Sequence, residues 1–281
     1  MKIHAIQTGT VRVHERQRAG AGRGLLRFAR TLADRSWTEP LPIFAWVVEH
    51  PEGLVVVDTG ETSRTSEPGY FPRWHPYFLL GLREEVRREQ EIDRGIEALG
   101  LDVRDVRRVI LTHMHTDHAG GMGHFPHAEI LVSRQELDDA RGLSGMLRGY
   151  LPQRWPGWFS PTPVDFHGGP FEVFPESHTL TTTGDIRLVP TPGHTRGHMS
   201  VVLDRGDDVV FLAGDTSYTE ANLLEGVVDG VASVGGGERT AALTLGRIRS
   251  LSRRRPLVYL PSHDPDSAVR LASASTCAAT A

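Results

Sequence analysis

Residues 46–58 read "WVVEHPEGLVVVD", and residues 199–215 read "MSVVLDRGDDVVFLAGD". Each is a pair of apolar, β-branched runs around a polar turn, and each ends in an aspartate. The stretches downstream of the two are also alike. After the first comes "LREEVRREQEIDRGIEALG" (82–100), where Ile92, Ile96 and Leu99 fall at helical spacing and Gly100 offers a stop. The strand "VRRVILT" (106–112) then runs into His113, giving Thr-His. After the second comes the helical "ERTAALTLGRIRSLSRR" (238–254), and then "LVYLPSH" (257–263), a strand ending in Ser-His. Two such halves, packed sheet to sheet with helices outside, predict an α/β four-layer αββα sandwich whose strand ends share one edge. Between them "AEILV" (128–132) adds a strand, and "SRQE" (133–136) has the form of a capping box.

At 281 residues the chain is long enough for one large α/β domain or two small ones. We expect a single domain over 1–270 and a flexible, small-residue tail over 271–281. A hydrophobic content of 39% with 23% charged residues is that of a soluble globular protein, and no apolar window approaches the ~20 residues of a membrane span. The first strand-like stretch lacks a secretory apolar segment, so a cytoplasmic location is expected. A net charge of −4 argues against a nucleic-acid partner. The single cysteine, Cys277, excludes disulfides within the chain and leaves nitrogen and oxygen donors for any metal. Two stretches, 64–82 and 141–184, are rich in proline, glycine and aromatics and read as long loops or short helices over the domain. Their Trp74, Trp155, Trp158 and Phe159 are candidates for an apolar substrate pocket.

The densest chemistry lies in "LTHMHTDHAGG" (111–121). On an extended strand end, the spacing of His113, His115 and Asp117 by two points all three to one side. His118 joins them only if the chain turns, which Ala119-Gly120-Gly121 makes easy. Such a segment can offer two ligands to each of two metals. Further donors stand at other strand ends: His194 in "PTPGHTRGH", Asp215 in "FLAGD" and His263 in "YLPSHD". Five imidazoles and two carboxylates suit two divalent ions, zinc first, with iron, manganese or cobalt tolerated. Asp215 is the natural carboxylate to bridge them. His75, His124, His127, His178 and His198 read as structural or exposed, His198 with the option of a hydrogen bond into the site.

In these motifs and their order, from "VVVDTG" through "THMHTDH", "TPGHTRGH" and "AGDTSY" to "PSHD", the sequence resembles the metallo-β-lactamase superfamily. The resemblance implies that His113, His115 and His194 bind one ion and Asp117, His118 and His263 the other, with Asp215 shared. It also implies that Asp58 orients a histidine from behind. "GDTSYTEANL" (214–223) sets Tyr218 three residues after Asp215, as in N-acyl-homoserine lactonases, where that tyrosine contacts the lactone oxygen. The implied function is a dinuclear zinc hydrolase of carboxylic ester bonds. It opens the lactone by attack of a hydroxide held between the ions, with Asp117 shuttling the proton. A small-molecule lactone or ester is then the partner, and a homodimer is compatible with that branch. Another lactonase, a carboxylesterase or a thioesterase fits the same residues, and an iron-dependent sulfur dioxygenase fits less well.

Overall fold

Strand-forming runs and helical periods sort into two sheets, each carrying its own helices. In this computed structural model, residues 1–232 and 237–277 are described. They form two compact units, one from Met1–Val13 with Glu39–Val164, the other from His14–Thr38 with the residues from Asp165 onward. The strands of the first unit are β1 (Lys2–Val13), β2 (Leu41–His50), β3 (Gly53–Val57), β4 (Leu82–Glu85), β5 (Val106–Leu111), β6 (Glu129–Ser133) and β7 (Thr162–Val164). Those of the second are β8 (His178–Thr179), β9 (Ile186–Pro190), β10 (Met199–Asp204), β11 (Val209–Gly214) and β12 (Leu257–Pro261). Short helices α1 (Glu15–Arg18) and α2 (Gly24–Leu32) belong to the second unit. The first unit carries α3 (Pro76–Leu80), α4 (Ile92–Ala98), α5 (Thr116–Ala119), α6 (Arg134–Ala140) and α7 (Gly142–Leu147). The second continues with α8 (Glu220–Glu225), α9 (Gly237–Ser252) and α10 (Ser267–Ser273).

The first sheet runs β4-β1-β2-β3-β5-β6-β7. Both hairpins read from the sequence are present: β2 pairs with β3 antiparallel, Trp46 opposite Val57, and β10 with β11, Val201 opposite Leu212. The long crossover from β3 returns as β5, parallel to it, and β6 and β7 extend that parallel half. Such strands read as unbroken apolar runs because both faces are covered, and Ile110, Leu111 and Val109 are fully buried. The second sheet runs β12-β11-β10-β9-β8, with β12 parallel to β11. One core gathers Ile6, Val47, Ile96, Val109 and Phe125, and the other gathers Phe174, Phe211, Leu245, Ile248 and Tyr259. Among the described residues no helix is long and apolar enough to cross a membrane.

Three expectations change. The helix expected over 82–100 is confined to Ile92–Ala98, while Leu82–Glu85 is an edge strand against Thr10–Val13. The stretch 141–184, expected as long loop or short helix, contains the short helix α7 but also two strands, β7 and β8. Within the stretch expected as tail from residue 271, α10 extends to Ser273, and Cys277 is buried with its N–H on the Leu257 carbonyl. Residues 278–281 of that tail lie outside the described residues.

Candidate metal centre

In the first unit, β5 delivers the chain to Thr112, and His113 follows outside any regular element. Helix α5 begins at Thr116, so Asp117, expected on the extended strand end, already lies with His118 in one short helical turn. It folds His118 back beneath His113, their ring centroids 4.1 Å apart. His113 Nε2 faces His115 Nδ1 at 3.1 Å, and Asp117 Oδ2 stands 3.9 Å from His118 Nε2.

Hydrogen bonds behind these rings decide which nitrogen each presents. His118 Nδ1 meets Asp58 Oδ2 at 2.8 Å, so its proton lies there and Nε2 carries the lone pair. Asp58 also accepts from Thr112 N at 2.8 Å and from the Thr112 hydroxyl at 2.9 Å. That hydroxyl has one proton, and Asp58 takes it. The 3.2 Å contact between Thr112 Oγ1 and His113 Nδ1 is therefore donated by His113, again leaving Nε2 as the donor atom. Asp58 manages all three bonds from a left-handed backbone, φ +57°, which aspartate tolerates better than bulkier residues. The turn packs against the Asp58 loop so closely that a Cβ on Gly121 would lie 2.3 Å from the Thr59 carbonyl. Glu136 anchors the motif from α6 by accepting the Met114 N–H at 3.0 Å, while Ser133 caps α6 through Glu136 N.

In the second unit the donors come from three strand ends. His194 follows β9, Asp215 follows β11 and His263 follows β12. Asp215 Oδ2 lies 3.5 Å from His194 Nε2, and its Oδ1 lies 3.4 Å from His263 Nε2. The two oxygens of one carboxylate thus serve two different imidazoles. His194 Nδ1 faces Asp229 Oδ2 at 3.4 Å. Gly193 fits where a Cβ would meet the Ala241 Cα at 2.5 Å, seating the His194 loop on α9. His198, read from sequence as structural, is buried and accepts the Asp215 N–H on Nε2 at 3.0 Å. Its Nδ1 then donates to Thr191 Oγ1, whose neighbour Ser200 donates to the Ala213 carbonyl. The circuit starts and ends on the β11 terminus and holds Asp215 in place. Tyr218 is buried and stacks on His263, ring centroids 5.4 Å apart.

Imidazole and carboxylate donors, with the proton of His113 and of His118 held on the far side of the ring, fit divalent cations in both units. A separate cluster, Glu91, Asp93 and His124, is closed by Arg88, which pairs with Asp93.

The expected pocket residues divide. Trp155 lines a cavity of about 470 Å³ in the first unit together with Tyr70, Met114, Thr116, Met122 and Leu151. Phe159 packs against Trp155 in a T-shaped contact. Trp74 and Trp158 are 52% and 41% exposed and do not belong to that lining. Beside the motif, Glu61 is fully buried and accepts from Thr62 N and from the Tyr70 hydroxyl. A Cβ on Gly120 would fall 2.2 Å from its Oε1. Burial pushes the Glu61 carboxyl up to about 8, with the Asp117 charge adding to the rise, and burial raises Glu84 in the same way.

The residues missed by the sequence reading are Thr112, Glu136, Asp229 and Gln17. Thr112 alone had a signal, its place beside the first histidine. The others reach the site from remote elements.

The profile of the metallo-beta-lactamase superfamily matches residues 38–263. A probable metallo-hydrolase of Mycobacterium bovis is 36% identical over 184 residues, which are 63% of this chain and 57% of that protein. The N-acyl homoserine lactonase AttM of Azorhizobium caulinodans is 29% identical over 238 residues, covering 81% and 83% of the two chains. Among solved structures, an N-acyl homoserine lactone hydrolase with N-hexanoyl-L-homoserine at its catalytic metal centre superposes with a TM-score of 0.74. It is 21% identical, and the match covers 94% of each chain.

Proposed function

The chain belongs to the metallo-β-lactamase superfamily and has its fold, and from that premise we propose that it is a two-metal hydrolase opening the lactone ring of N-acyl-homoserine lactones. In this reading His113, His115 and His194 would hold one ion, and Asp117, His118 and His263 the other, with Asp215 available to both. Two divalent ions bound there, zinc foremost, would supply an activated water and Lewis acidity toward the carbonyl. The chain's own residues do the rest. Asp117 takes the proton of the attacking water and passes it to the departing ring oxygen. Tyr218 donates a hydrogen bond to the lactone oxygen as charge develops there. Asp58 and Asp229 keep the His118 and His194 rings aimed, and the cavity beside Trp155 receives the acyl arm.

The observation that carries the proposal is the split carboxylate of Asp215, each oxygen turned to a different histidine. Relatives named as homoserine lactonases that span most of the chain support the substrate class. The test joins metal analysis to a pH-stat assay on a homoserine lactone, a plain γ-lactone, a thioester and a cephalosporin. Two ions per chain and proton release fastest on the homoserine lactone are expected. One iron per chain with oxygen consumption would overturn the proposal in favour of a dioxygenase, and a preferred thioester would move the substrate.

A further inference from the structure

Gln17 Nε2 lies 2.8 Å from the Tyr218 hydroxyl oxygen, and both side chains are buried, 1% and 4% exposed. We propose that Gln17 is a positioning residue that fixes the Tyr218 phenol as a hydrogen-bond donor to substrate. The inference rests on the role given to Tyr218 above. A phenol oxygen has one proton and two lone pairs. With a lone pair occupied by the Gln17 N–H, the phenol's own proton must go to another acceptor. A donated hydrogen bond also polarises the O–H and makes it the stronger donor.

Gln17 is held in place by bonds that do not involve Tyr218. Its carbonyl accepts from Gly230 N at 2.7 Å, and its N–H bonds the His14 carbonyl at 2.8 Å. Gly20 N bonds the Val228 carbonyl, and the buried Arg27 guanidinium donates to the Val228 and Asp229 carbonyls. A Cβ on Gly230 would sit 2.1 Å from the Arg16 carbonyl, so a side chain there would push α1 away. The other end is fixed too, since the Tyr218 ring lies flat on His263 with 26° between planes. α1 and the segment 228–230 therefore deliver an amide to a phenol that cannot swing away.

The experiment is a double-mutant cycle on the metal-loaded enzyme with a homoserine lactone. Gln17→Leu should lower kcat about tenfold with KM little changed, and Gln17→Glu, which would draw the phenol proton to itself, about a hundredfold. In a Tyr218→Phe background, neither change should lower kcat further. Gln17→Met repeats the measurement if the leucine variant fails to fold. In metal-free protein, the Tyr218 resonance of ¹³Cζ-tyrosine, identified by its loss in Tyr218→Phe, should move in Gln17→Leu. Equal losses in both backgrounds, with Tyr218→Phe itself slow, overturn the role of Gln17 and leave that of Tyr218. A Tyr218→Phe enzyme at the parent rate overturns both. A leucine variant faster than the parent would mean that the amide accepts the phenol proton, and it also overturns the inference.

Discussion

The first unit gathers its donors from six consecutive positions, whereas the second collects three from strand ends spread between residues 194 and 263. In the first, a strand end and one helical turn bring the candidate donors together, and Asp58 and Glu136 hold that turn from behind. In the second, the same result depends on β9, β11 and β12 being in register, and on α9 seating the Gly193 loop. A locally written donor set tolerates change elsewhere. A donor set assembled across a sheet inherits every weakness of that sheet.

The largest test of this contrast is Asp215→Ala, which removes a carboxylate whose two oxygens face two different imidazoles. Metal content should fall below one ion per chain and activity by more than about a thousandfold; a variant that keeps two ions would show that the two histidine sets need no shared carboxylate. In the local set, Asp117→Asn should cost about a hundredfold or more in kcat with metal retained and the fold intact by circular dichroism, consistent with general acid–base catalysis. Near-normal turnover would remove the proton shuttle.

A smaller effect compares the supporting carboxylates. Asp58 contacts His118 at 2.8 Å and is itself held by two Thr112 bonds, whereas Asp229 meets His194 at 3.4 Å. Asp58→Ala should therefore weaken metal affinity about 10- to 100-fold, and Asp229→Ala less, by competition with a chelator. Equal losses would erase the distinction. Smaller again is the pocket: Trp155→Ala should raise KM more for long-chain than for short-chain lactones, while Trp158→Ala, at an exposed position, should not.

The last effect is on stability and not on turnover. Glu61 is raised to about 8 in the fold, from 4.5, so the folded protein binds its proton more tightly than the unfolded chain. Its contribution is fully present below about pH 4.5 and is lost as pH rises through about 8. Metal-free protein should thus lose Tm across that window, and Glu61→Gln should flatten the profile. An unchanged slope would place the titration elsewhere.

The same contrast governs what can be read from residues alone. The hairpins, β5 and the H-x-H-x-D-H turn are local patterns, and the sequence displays them directly. The donors at 194, 215 and 263 are legible only as strand ends in order, because nothing local ties one to another. Leu82–Glu85 reads as helix because its arginine and glutamates favour that state, while its strand conformation comes from pairing with β1, about seventy residues away in sequence. Asp229 and Gln17 leave no trace at all. A lone aspartate in a loop and a lone glutamine near the start acquire meaning only from the side chains they meet. The SRQE motif is legible as a helix start, but its glutamate also holds the Met114 amide.

The segment 14–38 precedes β2 in the chain yet belongs with residues beyond 164. On a ribosome this imposes a timetable. The first seven-stranded sheet has all its strands once residue 164 has emerged, and four donors then exist on a finished scaffold. The early segment bearing Gln17 must wait, without its partners, for roughly another hundred residues before β12 arrives. A nascent chain stalled in that interval would carry the candidate donors of the first unit alone, with Gln17 still lacking Tyr218 and the buried Arg27 still lacking the Val228 and Asp229 carbonyls.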